Sequence, residues 1–518
     1  MSTLINIKLA FLLSLSSIIL FACGGNEALP LGEIPFETIV DGEINVTLNP
    51  NDITPLAAQA VFRTKVPTKV SITVAGKEPL THDFEAVATQ HSIPILGLYP
   101  DAENRVEVRL NEPGKRSAET TLTISTDPLP ETFPDISVAN VDREKMEPGW
   151  TLSEFSVGDD GTFRSYPMIF DTNGEVRWYI DLSFVGNRVT LAEGRLANGN
   201  LLFTRGSKIY EYDMLGKELN LWELSGYSTH HEIIEKPDGN FIVAVKNLDI
   251  DTIDDHIIEV DRESGNIVNE WDLRQILDIN RTDFNDVEGD WFHMNAMWYS
   301  AEDDTLIVSG RNQAVVKVTS ENELVWILAP HKGWGKAGLD AEGLDTSDFL
   351  LEAIDAEGEA YPEAVQQGAE DVEGFSWVWG QHAPLLLPNG NLFLFDNGLT
   401  RNFGEGERYS RGVEYAVDEA DMTVQQIWQY GEERSSNFYS SIISDVDYLA
   451  TTTNRLIMPG IVRLTDSSYA LVTEVTYPEA ELVFEAKLQF KNLLSTSSEL
   501  GFGQIDIVYR SERFSMYP

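Results

Sequence analysis

Cysteine is almost absent from this chain. Cys23 stands alone, so no disulfide can form within it. Basic residues are scarce too: 37 lysines and arginines face 84 aspartates and glutamates, a formal charge of −47. Phosphate binding needs basic clusters, so nucleic acid is excluded as a partner. The bland consequence of the acidity is solubility, including in a salty medium. Histidine is rare, at eight in 518 residues, which gives weight to any grouping of them. A hydrophobic content of 42% with 10% aromatics argues against wholesale disorder.

The amino terminus reads as an address. Lys8 supplies a thin positive region, and the apolar run from Leu9 to Phe21 is too short to cross a bilayer comfortably. It ends Leu20-Phe21-Ala22-Cys23-Gly24-Gly25, which resembles a bacterial lipoprotein cleavage box. The expectation is a leader over 1–22 and a lipid-bearing Cys23. That makes an extracytoplasmic bacterial lipoprotein, touching the membrane only through its anchor. Gly24 is not the aspartate associated with inner-membrane retention, which favours the periplasmic face of the outer membrane.

Residues 23–37 read as a spacer. From 38 to 128, alternating β-branched runs such as Lys69-Val70-Ser71-Ile72-Thr73-Val74 are separated by turn residues. They predict a small antiparallel β-sandwich of immunoglobulin-like size. The proline-rich 129–145 reads as a linker. From 146 to 518 an apolar strand closing on an aromatic recurs at Trp178, Trp222, Trp271, Trp326, Trp428 and Phe484. The intervals run from 44 to 56 residues, with one of 102. Units of roughly 45–55 residues with hairpin turns and a periodic tryptophan are the signature of β-propeller blades. Six anchors predict an all-β protein with a six-bladed propeller behind the sandwich. A β-solenoid or two packed sandwiches are the competing architectures. The long interval holds an acidic insertion at about 331–375, expected as a loop or lid over one face, and Gln504–Tyr509 as a strand closing the ring.

One layout repeats inside these units. His382 enters an apolar strand that ends in Pro388-Asn389-Gly390, and His231 enters one that ends in Pro237-Asp238-Gly239. In both, the histidine lies eight residues before the turn glycine. A looser copy carries His293, with Asn295 in the repeat's polar position. Innermost propeller strands converge on one axis, so these residues are expected at one channel mouth. Side chains alternate along a strand, so His230 should face away from His231, and the repeat register favours His231 as the inward one. Arg311, after the strand that follows His293, can return to the same mouth beside Asn312. His82, His91, His256 and His331 lack this register and read as structural. The acidic run Asp249–Asp255 lacks calcium-loop spacing and reads as a solvated loop.

Taken in order, six motifs resemble one family: His230-His231-Glu232, Asp290–Asn295, Thr305–Gln313, Ala329–Trp334, Gln381-His382 and Phe395-Asp396-Asn397-Gly398. They look like the bacterial aryl-sulfate sulfotransferases that work without the nucleotide donor PAPS. The resemblance covers nearly the whole mature chain. It implies that His382 is the nucleophile that takes the sulfuryl group from an aryl sulfate and passes it to a phenol, in a ping-pong scheme. It implies that His231, His293 and Arg311 hold the sulfuryl oxygens. Asn295, His230 and Asn312 are carried as substrate-binding candidates. No metal and no cofactor is called for, and a homodimer through the sandwich is expected by analogy. Some family members carry a disulfide beside the active site, which this chain cannot make. Two other readings stay open: a propeller hydrolase or lactonase with histidine-bound metal, and a non-catalytic lipoprotein that binds an anionic ligand or partner.

Overall fold

A computed structural model describes residues 32–159, 162–185, 190–191, 195–281, 289–492 and 504–518. The expected leader and Cys23 lie outside the described residues. The amino-terminal unit is built on a long hairpin, Ala58–Val74 against Leu80–Ile95. Its register breaks between Arg63 and Val70, the kind of bulge that bends a sheet. Asn45–Leu48, Glu103–Glu112 and Arg116–Ser125 complete the antiparallel ladder. Two residues expected in the spacer join it: Gly32–Glu33 pairs in parallel with Arg116 and Ser117. Alternation buries Ala58, Ala60, Phe62, Val70, Ile72 and Val74 on one face.

That face has no core of its own. The apolar cluster runs on through Leu96, Leu98 and Phe133 into Trp150, Phe155 and Trp178 of the propeller. Arg177, fully buried, fastens the junction. Its guanidinium donates to the carbonyls of Glu78 and Gly97 and to the Asp171 carboxylate, and it lies over the Tyr99 ring at 3.6 Å. Burying that charge is tolerable only because every side of it is satisfied.

Among the described residues the rest of the chain forms six sheets. Their innermost strands are Ile507–Phe514, Thr190–Leu191, Tyr227–Glu235, Met294–Ser300, His382–Leu386 and Asp445–Tyr448. Middle strands such as Phe241–Asn247 and Leu392–Asp396 are covered on both faces by neighbouring blades. They are therefore apolar without alternation. The ring closes twice. Ile507–Phe514 pairs with Trp150–Asp159 as the innermost strand of the first blade. Asp135–Ala139 pairs with Leu482–Gln489 as the outermost strand of the sixth. The segment expected as a linker is thus partly a propeller strand. Its preceding prolines gave the linker signal, while its pairing partner lies almost 350 residues downstream.

The six periodic aromatics all sit on the fourth strand counted from the axis. Five are tryptophans, and each indole N–H donates into the next blade's outer turn. Trp178 reaches the Met214 carbonyl, Trp222 that of Arg262, Trp271 that of Thr319, Trp326 the Glu419 carboxylate and Trp428 the Pro478 carbonyl, all at 2.8–3.0 Å. Phe484 has no N–H to offer. At that junction a buried carboxylate, Glu474, accepts from the Glu147 amide, Asn454 and Arg513, whose guanidinium lies over the Phe484 ring.

The insertion is not a lid. Glu352–Ala353 adds in parallel to the outer edge of the fifth blade beside Thr423 and Val424. Leu351, Ala353 and Val365 pack there with Trp326, Phe375 and Trp377. Its apolar residues have a place to go at the rim, and none of its residues lines the cavity described below.

If the indole bonds hold the blades in register, Trp271→Phe, which removes the indole bond to the Thr319 carbonyl and leaves that of the Asn322 amide, lowers unfolding stability by about 1 kcal/mol. Urea denaturation measures this, and an unchanged midpoint would refute it.

Candidate functional site

Three inner strands deliver histidines to one cavity of about 430 Å³. It is lined by His230, His231, His293, Arg311 and His382, and by Ser441, Ile442, Ile443, Arg463 and Ile505. Each histidine-bearing strand carries a break in register: between Thr229 and Ile233, between Met294 and Ala296, and between His382 and Leu385. His231, His293 and Ala383 take positive φ values of 60°, 54° and 50° at these points. Left-handed backbone at a residue other than glycine is uncommon and gathers at functional sites.

The bulge corrects the alternation argument. His230 does not turn away from His231, because the strand no longer alternates there. Both rings line the cavity, with centroids 3.6 Å apart, and the His293 ring lies 6.0 Å from one and 5.6 Å from the other. His293 itself precedes its strand, and its carbonyl accepts from the Arg311 amide, which brings Arg311 in beside it.

Asn295 and Asn312 are near the cavity but do not line it. Asn295, on the bulge and fully buried, donates to the Gln381 carbonyl at 2.7 Å, which locks the residue before His382 to the neighbouring blade. Asn312 donates to the Asp290 carbonyl and holds the loop that carries His293. Both amide nitrogens are engaged in positioning.

Every histidine of the cavity has a partner at Nδ1. Asn397 Oδ1 lies 2.8 Å from His382, Tyr509 Oη 2.8 Å from His231, Asp290 Oδ2 2.7 Å from His293 and Asp254 Oδ1 2.9 Å from His230. For His382 the tautomer follows from the neighbours. The Asn397 amide nitrogen donates to the carbonyls of Ser440 and Ile443, so its oxygen must face the ring and accept. Nδ1 of His382 therefore carries the proton, and Nε2 keeps its lone pair. Likewise Tyr509 gives its hydroxyl proton to the Asn295 carbonyl and so accepts from His231.

Charge is arranged with the same economy. Complete burial, then the charges of Arg311 and His293, push the His382 pKa down to about 3, against the opposing bond to Asn397. Burial also lowers the Arg311 pKa, opposed by Asp290. Arg311 has no ion pair, and its Nε is buried with no hydrogen-bond acceptor. Buried arginines elsewhere are paired, as Arg401 and Arg411 are with Asp396, Arg455 with Glu414 and Arg513 with Glu474. A desolvated, unpaired cation in a cavity is a site for an anion.

Beneath the cavity, Asp396 fixes the scaffold. One oxygen accepts from the Trp379 and Gly398 amides, the other from Arg401 and Arg411. Gly398 is required next to Asn397: its φ is 69°, and a Cβ there would fall 2.0 Å from the Tyr409 carbonyl.

Sequence reasoning missed several of these groups. Asn397 lies in the motif Phe395-Asp396-Asn397-Gly398, but its role depends on the 440s loop. Asp254 and Asp255 were read as solvated; both are buried, Asp254 against His230 and Asp255 against His256 and the Trp291 indole. Tyr509 and Arg463 gave no signal, since each comes from a strand without a histidine. Asp254, Asp290 and His293 offer donor atoms within 4.8 Å of one another and are the described residues that could hold a metal. Both carboxylates are already engaged by imidazoles.

A sequence model described as arylsulfotransferase (ASST) matches residues 131–497, and one described as the arylsulfotransferase Ig-like domain matches 45–127. The arylsulfate sulfotransferase AssT of Escherichia coli O6:H1 is 28% identical over 585 aligned residues, spanning 93% of this chain and 95% of that protein. The arylsulfate sulfotransferase AssT of Lelliottia amnigena is 28% identical over 546, spanning 86% and 88%. Among solved structures, the carboxy-terminal WD40 domain of Sif2 overlaps 88% of this chain and 97% of its own, at 9% identity and a TM-score of 0.30. The sheet order described above, not this likeness, defines the fold.

With a native pKa near 3, His382 stays neutral at pH 5 in the Nδ1–H form, as ¹⁵N-histidine NMR would read by comparison with His382→Asn. An unfolded histidine takes its proton near pH 6.5. His382 therefore removes stability as pH falls from that value toward about 3, at up to about 1.4 kcal/mol per unit. His382→Asn flattens that slope. A doubly protonated ring at pH 5 would contradict both.

Proposed function

The chain belongs to the arylsulfotransferase family, and on that footing we propose that it moves a sulfuryl group from an aryl sulfate to a phenol through a sulfohistidine at His382. The observation that carries this reading is the unpaired Arg311, its Nε buried, in one cavity with a histidine held neutral and bonded to Asn397 through Nδ1. A sulfate monoester supplies the anion, and its sulfur supplies the electrophile.

The donor's sulfuryl oxygens are held by Arg311 and by imidazole N–H groups. The His382 Nε2 lone pair forms the N–S bond as the ester S–O bond breaks. Charge spread over the three equatorial oxygens in a loose transition state is what positioned cationic donors stabilise. The departing phenolate takes a proton from an imidazolium, and His293, backed by Asp290, is our choice for it. In the second half-reaction the acceptor phenol returns a proton to that imidazole, and its oxygen attacks sulfur. The N–S bond breaks and its electrons return to Nε2. Asn397 keeps the Nδ1 proton in place throughout, so each half-reaction ends with the site ready for the next.

A second reading has one observation in its favour, the Asp254, Asp290 and His293 cluster. There a divalent cation would assist hydrolysis, and dialysis against a chelator would abolish turnover. We also propose that Cys23 bears a lipid that tethers the enzyme on the outside of the cytoplasmic membrane, at the outer membrane. The mass of the amino-terminal peptide from cell membranes tests it.

Nitrophenol release from 4-nitrophenyl sulfate is expected to rise on adding phenol and to survive chelation. His382→Ala is expected to lose at least about a thousandfold, as removal of a nucleophile does. Full activity in that variant would remove His382 from the nucleophile role. No release by the native protein with any acceptor would remove the sulfotransfer reading.

A further inference from the structure

The cavity contains a second cation that the transfer does not use. Arg463 lies on the short strand Val462–Leu464 of the sixth blade and lines the same space. It makes no ion pair and no side-chain hydrogen bond, which sets it apart from the buried arginines held by Asp396, Glu414 and Glu474. Only burial lowers its pKa. Arg311 follows the strand Thr305–Gly310 of the fourth blade and Arg463 lies in the sixth, so the two guanidiniums reach the cavity from different blades. In a protein with 84 carboxylic side chains, an arginine left half-buried and unpaired beside a cavity is positioned for an anion from outside. Beside Ser441, the isoleucines Ile442, Ile443 and Ile505 give the cavity an apolar wall that suits an aromatic ring. Ile443 is kept there at a φ of 51°, a costly conformation for a β-branched side chain, and its carbonyl is tied to Asn397.

We propose that Arg463 binds a carboxylate carried on the aromatic ring of the substrate, so that phenolic acids are the preferred acceptors. This rests on the sulfotransfer reading. Arg311 serves the sulfuryl end, the isoleucines serve the ring, and Arg463 reads the far substituent. A guanidinium grips a carboxylate through two parallel N–H···O bonds, and desolvation strengthens them. A neutral substituent of the same shape cannot accept both bonds and leaves the cation unpaired.

The test uses 4-nitrophenyl sulfate as fixed donor and compares 4-hydroxyphenylacetate with 4-hydroxyphenylacetamide as acceptors. The full-length native protein should favour the acid in kcat/KM by at least about tenfold. Arg463→Gln should bring that ratio close to one, and Arg463→Lys should keep part of it. A native ratio near one would overturn the proposal while leaving sulfotransfer intact. So would a fall in Arg463→Gln that is equal for acid and amide, because that makes Arg463 part of the sulfuryl clamp or of the fold. No transfer to any acceptor, phenol included, would remove the parent reading and this one with it.

Discussion

A propeller works only if its blades stay in register, because each contributes one strand to the axis and a slipped blade takes its side chain out of the site. Here the register is set by a recurring bond from an indole N–H on one blade's outer strand to the outer turn of the next. The aromatic periodicity of the sequence is this bond seen in one dimension. Where the pattern substitutes Phe484, the fold substitutes a carboxylate, Glu474, bridging the chain's two ends through Glu147 and Arg513. None of these residues lines the cavity, yet both kinds of closure decide where its histidines meet.

At the axis the limiting resource is geometry. An ordinary strand would offer one histidine and hide its neighbour. The bulges and left-handed residues at His231, His293 and Ala383 break that rule and crowd several imidazoles into one space. Strain of this kind persists only where the surroundings over-determine it. They do so here: Asn295 holds Gln381, Asn397 holds both His382 and the 440s loop, and Asp396 ties down the amides of Trp379 and Gly398.

The electrostatics answer how a protein with a formal charge of −47 can receive an anion. Nearly all its buried arginines are neutralised in place. In the cavity neither Arg311 nor Arg463 makes an ion pair, so a local positive site exists inside a negative molecule. Because it is buried, the surrounding charge is less able to cancel it through solvent than it would be at the surface.

The sequence by itself determined the all-β class, the repeat and its aromatic anchors, the rarity of histidine, the register that singled out His231, His293 and His382, and the place of Arg311 one strand after His293. Those features are periodic or local, and a chain displays them in order. Tertiary structure alone decided the rest. The linker became a blade strand because its partner lies at the other end of the chain. The acidic run became two histidine partners because folding buried Asp254 and Asp255. His230 joined the site because a single backbone angle at His231 cancelled the alternation. The proton on His382 was assigned by Asn397, whose orientation depends on two carbonyls from a distant loop. A hydrogen bond between residues far apart in sequence leaves no period to read, and it is such bonds that hold four histidines in one cavity.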